Sequence, residues 1–134
     1  MSSSITDNDD IVAYGYLLAG DLDRLVPYDD DPLNPAWTHY HEVGWQMVLD
    51  DLAIRGIAET SVADTTNLKR PAACWATRTA LALGGSIGTD ANSVDAKRVE
   101  ALEREYHRLM GVISLALTSG NAIRPQGEVR LVQG

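Results

Sequence analysis

The sequence predicts an all-α fold: a four-helix bundle-like domain with long loops and an extended C-terminal tail. Three observations predict it. Apolar residues recur at spacings of three and four in four separate stretches, the mark of a helix burying one face. Each stretch is bracketed by residues that start or stop helices. The chain has 134 residues and is 45% hydrophobic, long enough to bury one helical core without disulfides or a structural metal.

The first helix is predicted to begin after Thr6 or Asp7, either of which can cap the opening turn, with Asp9 and Asp10 at the positive end of its dipole. Ile11, Tyr14, Leu18, Leu22 and Leu25 mark its buried stripe, and Pro27 ends it. Three adjacent carboxylates, Asp29, Asp30 and Asp31, then define an acidic surface loop.

Asn34 and Pro35 open the second helix, since proline at the first helical position loses no hydrogen bond. Trp37, His41, Gly44, Val48 and Leu52 form one face. Tyr40, Val43, Met47 and Ile54 widen it, so the helix is expected to contact two neighbours. Gly56 suits the left-handed position that closes a helix. Residues 57–66 form a connection rich in Ser, Thr and Asp, with a short extended piece expected at Ile57.

Asn67 or Asp64 caps the third helix, which carries Pro71 in its first turn. Its Ala72, Ala73, Ala76, Ala80 and Ala82 allow close approach of another helix, while Trp75 and Leu83 fill volume. Gly84-Gly85 ends it. In the fourth helix Val99, Leu102, Tyr106, Leu109, Ile113 and Ala116 form a heptad seam, with Ser119-Gly120 as the stop. The domain is therefore read as residues 1–120. Residues 121–134 form an extended docking tail whose apolar residues need a surface to pack on.

Charge divides the chain. Residues 1–66 hold thirteen Asp/Glu against two Arg, a net of −11, and residues 67–134 hold six against nine Lys/Arg, a net of +3. An acidic half repels nucleic acid and attracts basic surfaces. Lys69, Arg70 and Arg78 are a candidate basic patch, as are Lys97, Arg98, Arg104 and Arg108. The second set is interleaved with Asp95, Glu100, Glu103 and Glu105 and reads as a mixed solvated face.

Motifs for catalysis are lacking. The chain has no G-x-S-x-G, Walker A or dinucleotide fingerprint, and Gly84-Gly85-Ser86-Ile87-Gly88 reads as a helix-ending turn. Cys74 lies in an alanine-rich stretch, where a buried inert thiol is expected. His39 and His41 point about 200° apart around a helix and cannot share one ion. Glu100, Glu103 and His107 line one side of the fourth helix but lack the Glu-x-x-His partners of a di-iron bundle. The expectation is no enzyme, no cofactor and no metal. The opening Met1-Ser2-Ser3-Ser4 lacks basic residues and an apolar core, so no signal peptide is expected, and no apolar run predicts a membrane span.

The order of elements resembles the head-to-tail adaptor (connector) proteins of long-tailed bacteriophages. The resemblance covers roughly Asp9 to Leu131 and is one of layout. It is carried by the helix-ending Leu52-Ala53-Ile54-Arg55-Gly56-Ile57 and by Leu68-Lys69 opening an alanine- and aromatic-bearing helix. The long charged helix with Tyr106-His107-Arg108-Leu109 and the Val129-Arg130-Leu131 tail complete it.

The resemblance implies a structural protein of the virion neck, assembled in the host cytoplasm as a homo-oligomeric, often dodecameric, ring. Its partners would be the portal protein and a stopper or tail-completion protein, with DNA passing through the channel without specific binding. Candidate tail-docking residues are then Arg124, Val129, Arg130, Leu131 and Val132, and the candidate channel- or partner-facing loop is Asp29, Asp30 and Asp31. The alternative is a small acidic helical module that sequesters a basic protein partner.

Overall fold

The computed structural model describes residues 4–24, 36–84, 94–118, 121–123 and 129–131. The fold is mostly helical, as the periodicity predicts. Among the described residues five α-helices appear in order: α1 (Asn8–Ala13), α2 (Ala19–Arg24), α3 (Ala36–Ile54), α4 (Lys69–Gly84) and α5 (Val94–Gly111). Three short strands follow, β1 (Leu115–Ala116), β2 (Asn121–Ile123) and β3 (Val129–Leu131).

α1 starts at a reciprocal cap. The Asp10 amide donates to the Asp7 carboxylate at 3.1 Å and the Asp7 amide to the Asp10 carboxylate at 3.0 Å. The first predicted helix is in fact two, because Gly15 breaks it at φ 77°. The Gly15 amide donates to the Val12 carbonyl and the Tyr16 amide to that of Ile11, a Schellman closure that only a left-handed residue completes. The break shifts the phase of the following turn. Leu17 is buried, whereas Leu18, which the unbroken stripe would bury, is 76% exposed.

The same closure ends α3. Gly56 sits at φ 81°, its amide bonds the Ala53 carbonyl, and the Ile57 amide bonds that of Leu52. Leu52 and Ile57 are both buried there, the apolar contact that accompanies this motif. Trp37, Tyr40, His41, Trp45, Val48 and Leu52 are buried along α3, but Ile54 is 83% exposed and does not widen that face. Instead of a plain extended piece, the connection from Ile57 contains 3-10 turns at Glu59–Ser61 and Thr66–Leu68. Asp64 does not cap the third helix, which starts at Lys69; it accepts from the amide and hydroxyl of Thr66, two residues on. Asn67 does not cap; its side chain donates to the Ser114 carbonyl at 2.8 Å.

α4 is the centre of the helical layer, packed on α3 along one side and α5 along the other. Ala72, Ala73, Ala76 and Ala80 are fully buried. A Cβ at Gly44 would lie 2.8 Å from the Ala76 nitrogen and 3.0 Å from the Ala76 Cβ, so the backbones of α3 and α4 leave no room for a side chain there. Toward α5, the Trp75 ring meets that of Tyr106 at 4.9 Å between centroids. The Tyr106 hydroxyl donates to the Asp51 carboxylate of α3, tying the third helix to the first of the layer.

α5 ends at Gly111, short of the predicted stop at Ser119-Gly120. Ile113 and Leu115 are buried beyond it, but in extended chain. The Arg55 guanidinium donates to the Met110 carbonyl at 3.0 Å, satisfying an acceptor left by the helix end and placing positive charge at its negative pole. β-branched Val112 and Ile113 favour the switch to extended backbone.

The strands form an antiparallel sheet in the order β1-β2-β3. Leu115 pairs with Ile123, and Asn121, Ala122 and Ile123 pair with Leu131, Arg130 and Val129. An isolated bridge joins Val62 to Leu117, and the Thr118 amide donates to the Ser61 carbonyl at 2.8 Å. The sheet thus runs across the predicted boundary at residue 120.

Candidate interface

The predicted docking residues Val129, Arg130 and Leu131 make up β3. Their backbone turns back on β2, so this part of the tail is a sheet strand and not an isolated extended arm. Arg124, Val132 and the acidic loop Asp29, Asp30 and Asp31 lie outside the described residues. Between the sheet and the helices, buried Leu115 and the Val62–Leu117 bridge form the junction.

Four basic residues of the back half, Arg70, Arg78, Arg98 and Arg108, are tied to carboxylates. Arg78 lies 3.0 Å from Glu103 and its guanidinium covers the Trp75 ring at 4.8 Å. Arg70 bonds the Tyr16 hydroxyl at 3.3 Å and reaches Glu105 at 3.7 Å, while Arg108 pairs with the same Glu105 at 2.6 Å. Those arginines hold the Glu105 carboxyl below its ordinary range. Arg98 approaches Asp21 of α2 at 3.9 Å. The two basic sets of the sequence are therefore divided among ion pairs, which weakens either as a continuous positive face.

Cys74 is fully buried with its thiol directed at the Leu102 carbonyl, 3.2 Å away. Burial pushes its pKa up to about 12, so it stays a protonated thiol, the weakly nucleophilic form. The two histidines differ as their spacing predicts. His39 is exposed, whereas His41 is buried between the Thr6 hydroxyl on Nδ1 and the Asn8 side-chain oxygen on Nε2, both at 2.8 Å. Burial lowers the His41 pKa, opposed by the nearby Asp7 and Asp10 carboxylates. Its role is to fasten the segment ahead of α1 onto α3. Among the described residues, no group of three His, Cys, Asp or Glu side chains is placed to hold a metal ion. No described helix is long and apolar enough to cross a membrane.

Besides a groove of about 450 Å³ beside Thr6, Trp37 and His41, two surface grooves stand out among the described residues. One, of about 440 Å³, lies between Tyr14, Arg70, Pro71, Leu109 and Val112. The other, of about 280 Å³, runs along α3 from His39 to Asp50, with Val43 and Met47 in its floor and Trp75 of α4 as its wall. In the sequence, Val43 and Met47 read only as breadth of an apolar arc. The acidic residues beside them, Glu42 and Asp50, carried the missing signal.

No family model, curated protein or solved structure matches the chain.

Proposed function

We propose that this protein is a head-to-tail adaptor of a bacteriophage neck, forming a homo-oligomeric ring between the portal and a stopper or tail protein. The observation that carries the reading is the position of β3 at the end of the sheet order, where its outer edge faces away from β2. An end strand offers backbone donors and acceptors to another chain, and pairing along it supplies affinity without a deep pocket. Unequal charge in the two halves of the subunit supports the same reading, because a ring repeats contacts between two different faces of each copy. The acidic front half also disfavours retention of DNA, as a channel wall requires.

Mixing the purified protein at low salt with a bacteriophage portal protein is the direct test. Electron microscopy is expected to show rings capping the portal, with the protein alone monomeric or weakly associated by light scattering. A tight closed dimer that ignores portal would overturn the reading. The exposed acids of the front half, Asp7, Asp9 and Asp50 among them, favour the second reading of a module that sequesters a basic protein. That reading predicts saturable binding of a basic partner with no virion component present.

A further inference from the structure

The second helix of the sequence carries more apolar surface than its described neighbours cover. α4 takes the stripe through Gly44 and Val48, and the N-terminal segment takes the end at Trp37 and His41. Val43 and Met47 lie beside that stripe, only half-buried, and face an open groove walled by Trp75. Residues 39, 42, 43, 46, 47 and 50 succeed one another at steps of three and one, which makes a straight track. Eleven steps at ~1.5 Å per residue give it a length of about 16 Å, or three helical turns.

Charge defines what the track takes. Glu42 and Asp50 stand along its rim about two turns apart, and the Asp50 carboxylate is held by the Gln46 amide at 2.9 Å. The cation over Trp75, Arg78, is paired with Glu103 at 3.0 Å and adds no net positive charge. His39 marks one end of the track. An apolar floor with carboxylates beside it favours a segment that carries cations at matching heights over an acidic or a purely apolar one.

We infer that the groove along α3 is a docking site for an amphipathic helix of a second protein, one with Lys or Arg flanking its apolar stripe. Apolar side chains at i, i+3 or i+4, and i+7 of that helix lie on Val43, Met47 and Trp75, and its flanking cations meet Glu42 and Asp50. Aliphatic stems of those Lys or Arg residues add cover over the floor. The inference rests on the groove alone and stands or falls apart from the adaptor reading.

The test uses the full chain and two synthetic helical peptides with the same apolar stripe, one flanked by lysines and one by glutamates. Binding is followed by NMR through the Trp75 indole and the Val43 and Met47 methyls. At low ionic strength the lysine peptide is expected to bind saturably and about tenfold more tightly than its glutamate counterpart, the swing of two rim charge pairs. Reversing the rim with Glu42→Lys and Asp50→Lys is expected to invert that ranking. Met47→Glu should abolish both interactions. If Met47→Glu also disturbs folding, the rim variant, at half-buried Glu42 and exposed Asp50, still decides.

Equal affinity for the two peptides, or shifts confined to the groove at Tyr14 and Leu109, would overturn the inference. So would groove signals that change with protein concentration alone, which identify a second copy as the occupant, or methyl contacts from another segment of the same chain. Portal assembly is read in a separate experiment, so failure here leaves the adaptor reading untouched, and the reverse holds.

Discussion

At Gly44 the backbones of α3 and α4 approach until no side chain fits between them, whereas the C-terminal sheet meets the helices through buried Leu115 and the Val62–Leu117 bridge. The helical seam is built from side chains that vanish from water completely, among them Val48, Ala72, Ala73, Ala76 and Ala80. The sheet is built from strands of two or three residues joined by backbone pairing. Burial supplies stability in proportion to apolar area, while strands this short are marginal by themselves. The contrast assigns folding to the seam and leaves the sheet free for another role.

Substitution at Gly44 should do the most damage. Gly44→Ala would ordinarily favour a helix by about 1 kcal/mol. Here the new Cβ would press on the α4 backbone, which cannot yield as a flexible side chain would. A net loss of about 2 kcal/mol is expected in urea unfolding, and Gly44→Val is expected to leave no folded protein. A neutral Gly44→Ala would show that the seam is looser than its geometry.

Next in size is Tyr106→Phe, at the far side of the same layer. It removes the hydroxyl that donates to Asp51 and leaves a half-buried carboxylate without that donor. A hydrogen bond to a charged acceptor contributes about 1.5–3 kcal/mol, and the lower end is expected because water can partly replace the hydroxyl. Pairing it with Asp51→Asn in a double-mutant cycle isolates the contact. Full additivity would mean that the two residues do not act together.

Much of the seam was legible in the sequence because its signals are local. The stripe from Trp37 to Leu52, the alanines of α4, the cap at Asp7 and the closing Gly56 all act over one or two turns. Gly15 makes the same closure as Gly56, yet the apolar spacing continues past it to Leu18 and Leu22, and periodicity hides the break. The end of α5 failed for a different reason. Its heptad pattern runs on to Ala116, but Arg55 and Asn67, distant in sequence, take the Met110 and Ser114 carbonyls. Strand pairing in the tail is similarly non-local. Of the candidate groove, Val43, Met47, Glu42 and Asp50 were readable as one helix face, but Trp75 arrives from another helix.

A smaller effect is expected from His41, which fastens the segment ahead of α1 to the edge of the seam. Its native pKa is lowered from 6.5, chiefly by burial, so the unfolded chain takes up the proton at higher pH than the native state does. His41 therefore contributes its full stability above pH 6.5, and that contribution drains away as pH falls from there toward the lowered native value. Urea midpoints measured between pH 8 and pH 5 should decline for the wild-type protein and stay flatter for His41→Gln. Equal slopes would place the pH dependence elsewhere and detach His41 from the seam.

The smallest effect on folding, and the sharpest division between the two regions, should come from ending the chain after Gly120. This removes β2 and β3 with Val129, Arg130 and Leu131 but leaves Leu115 in the core. The helices keep their caps, the Gly44 contact and the Tyr106–Asp51 bond, none of which involves residues beyond 120. The helical circular dichroism signal is expected to be unchanged and the loss of stability to be about 1 kcal/mol or less, typical of changes outside the core. Ring formation with portal should nevertheless fail, because β3 and its edge are gone. Loss of the helical signal would instead mean that the sheet completes the core, and the separation of folding from assembly would not hold. Intact folding with intact ring formation would move the assembly contact off the tail and onto the helices.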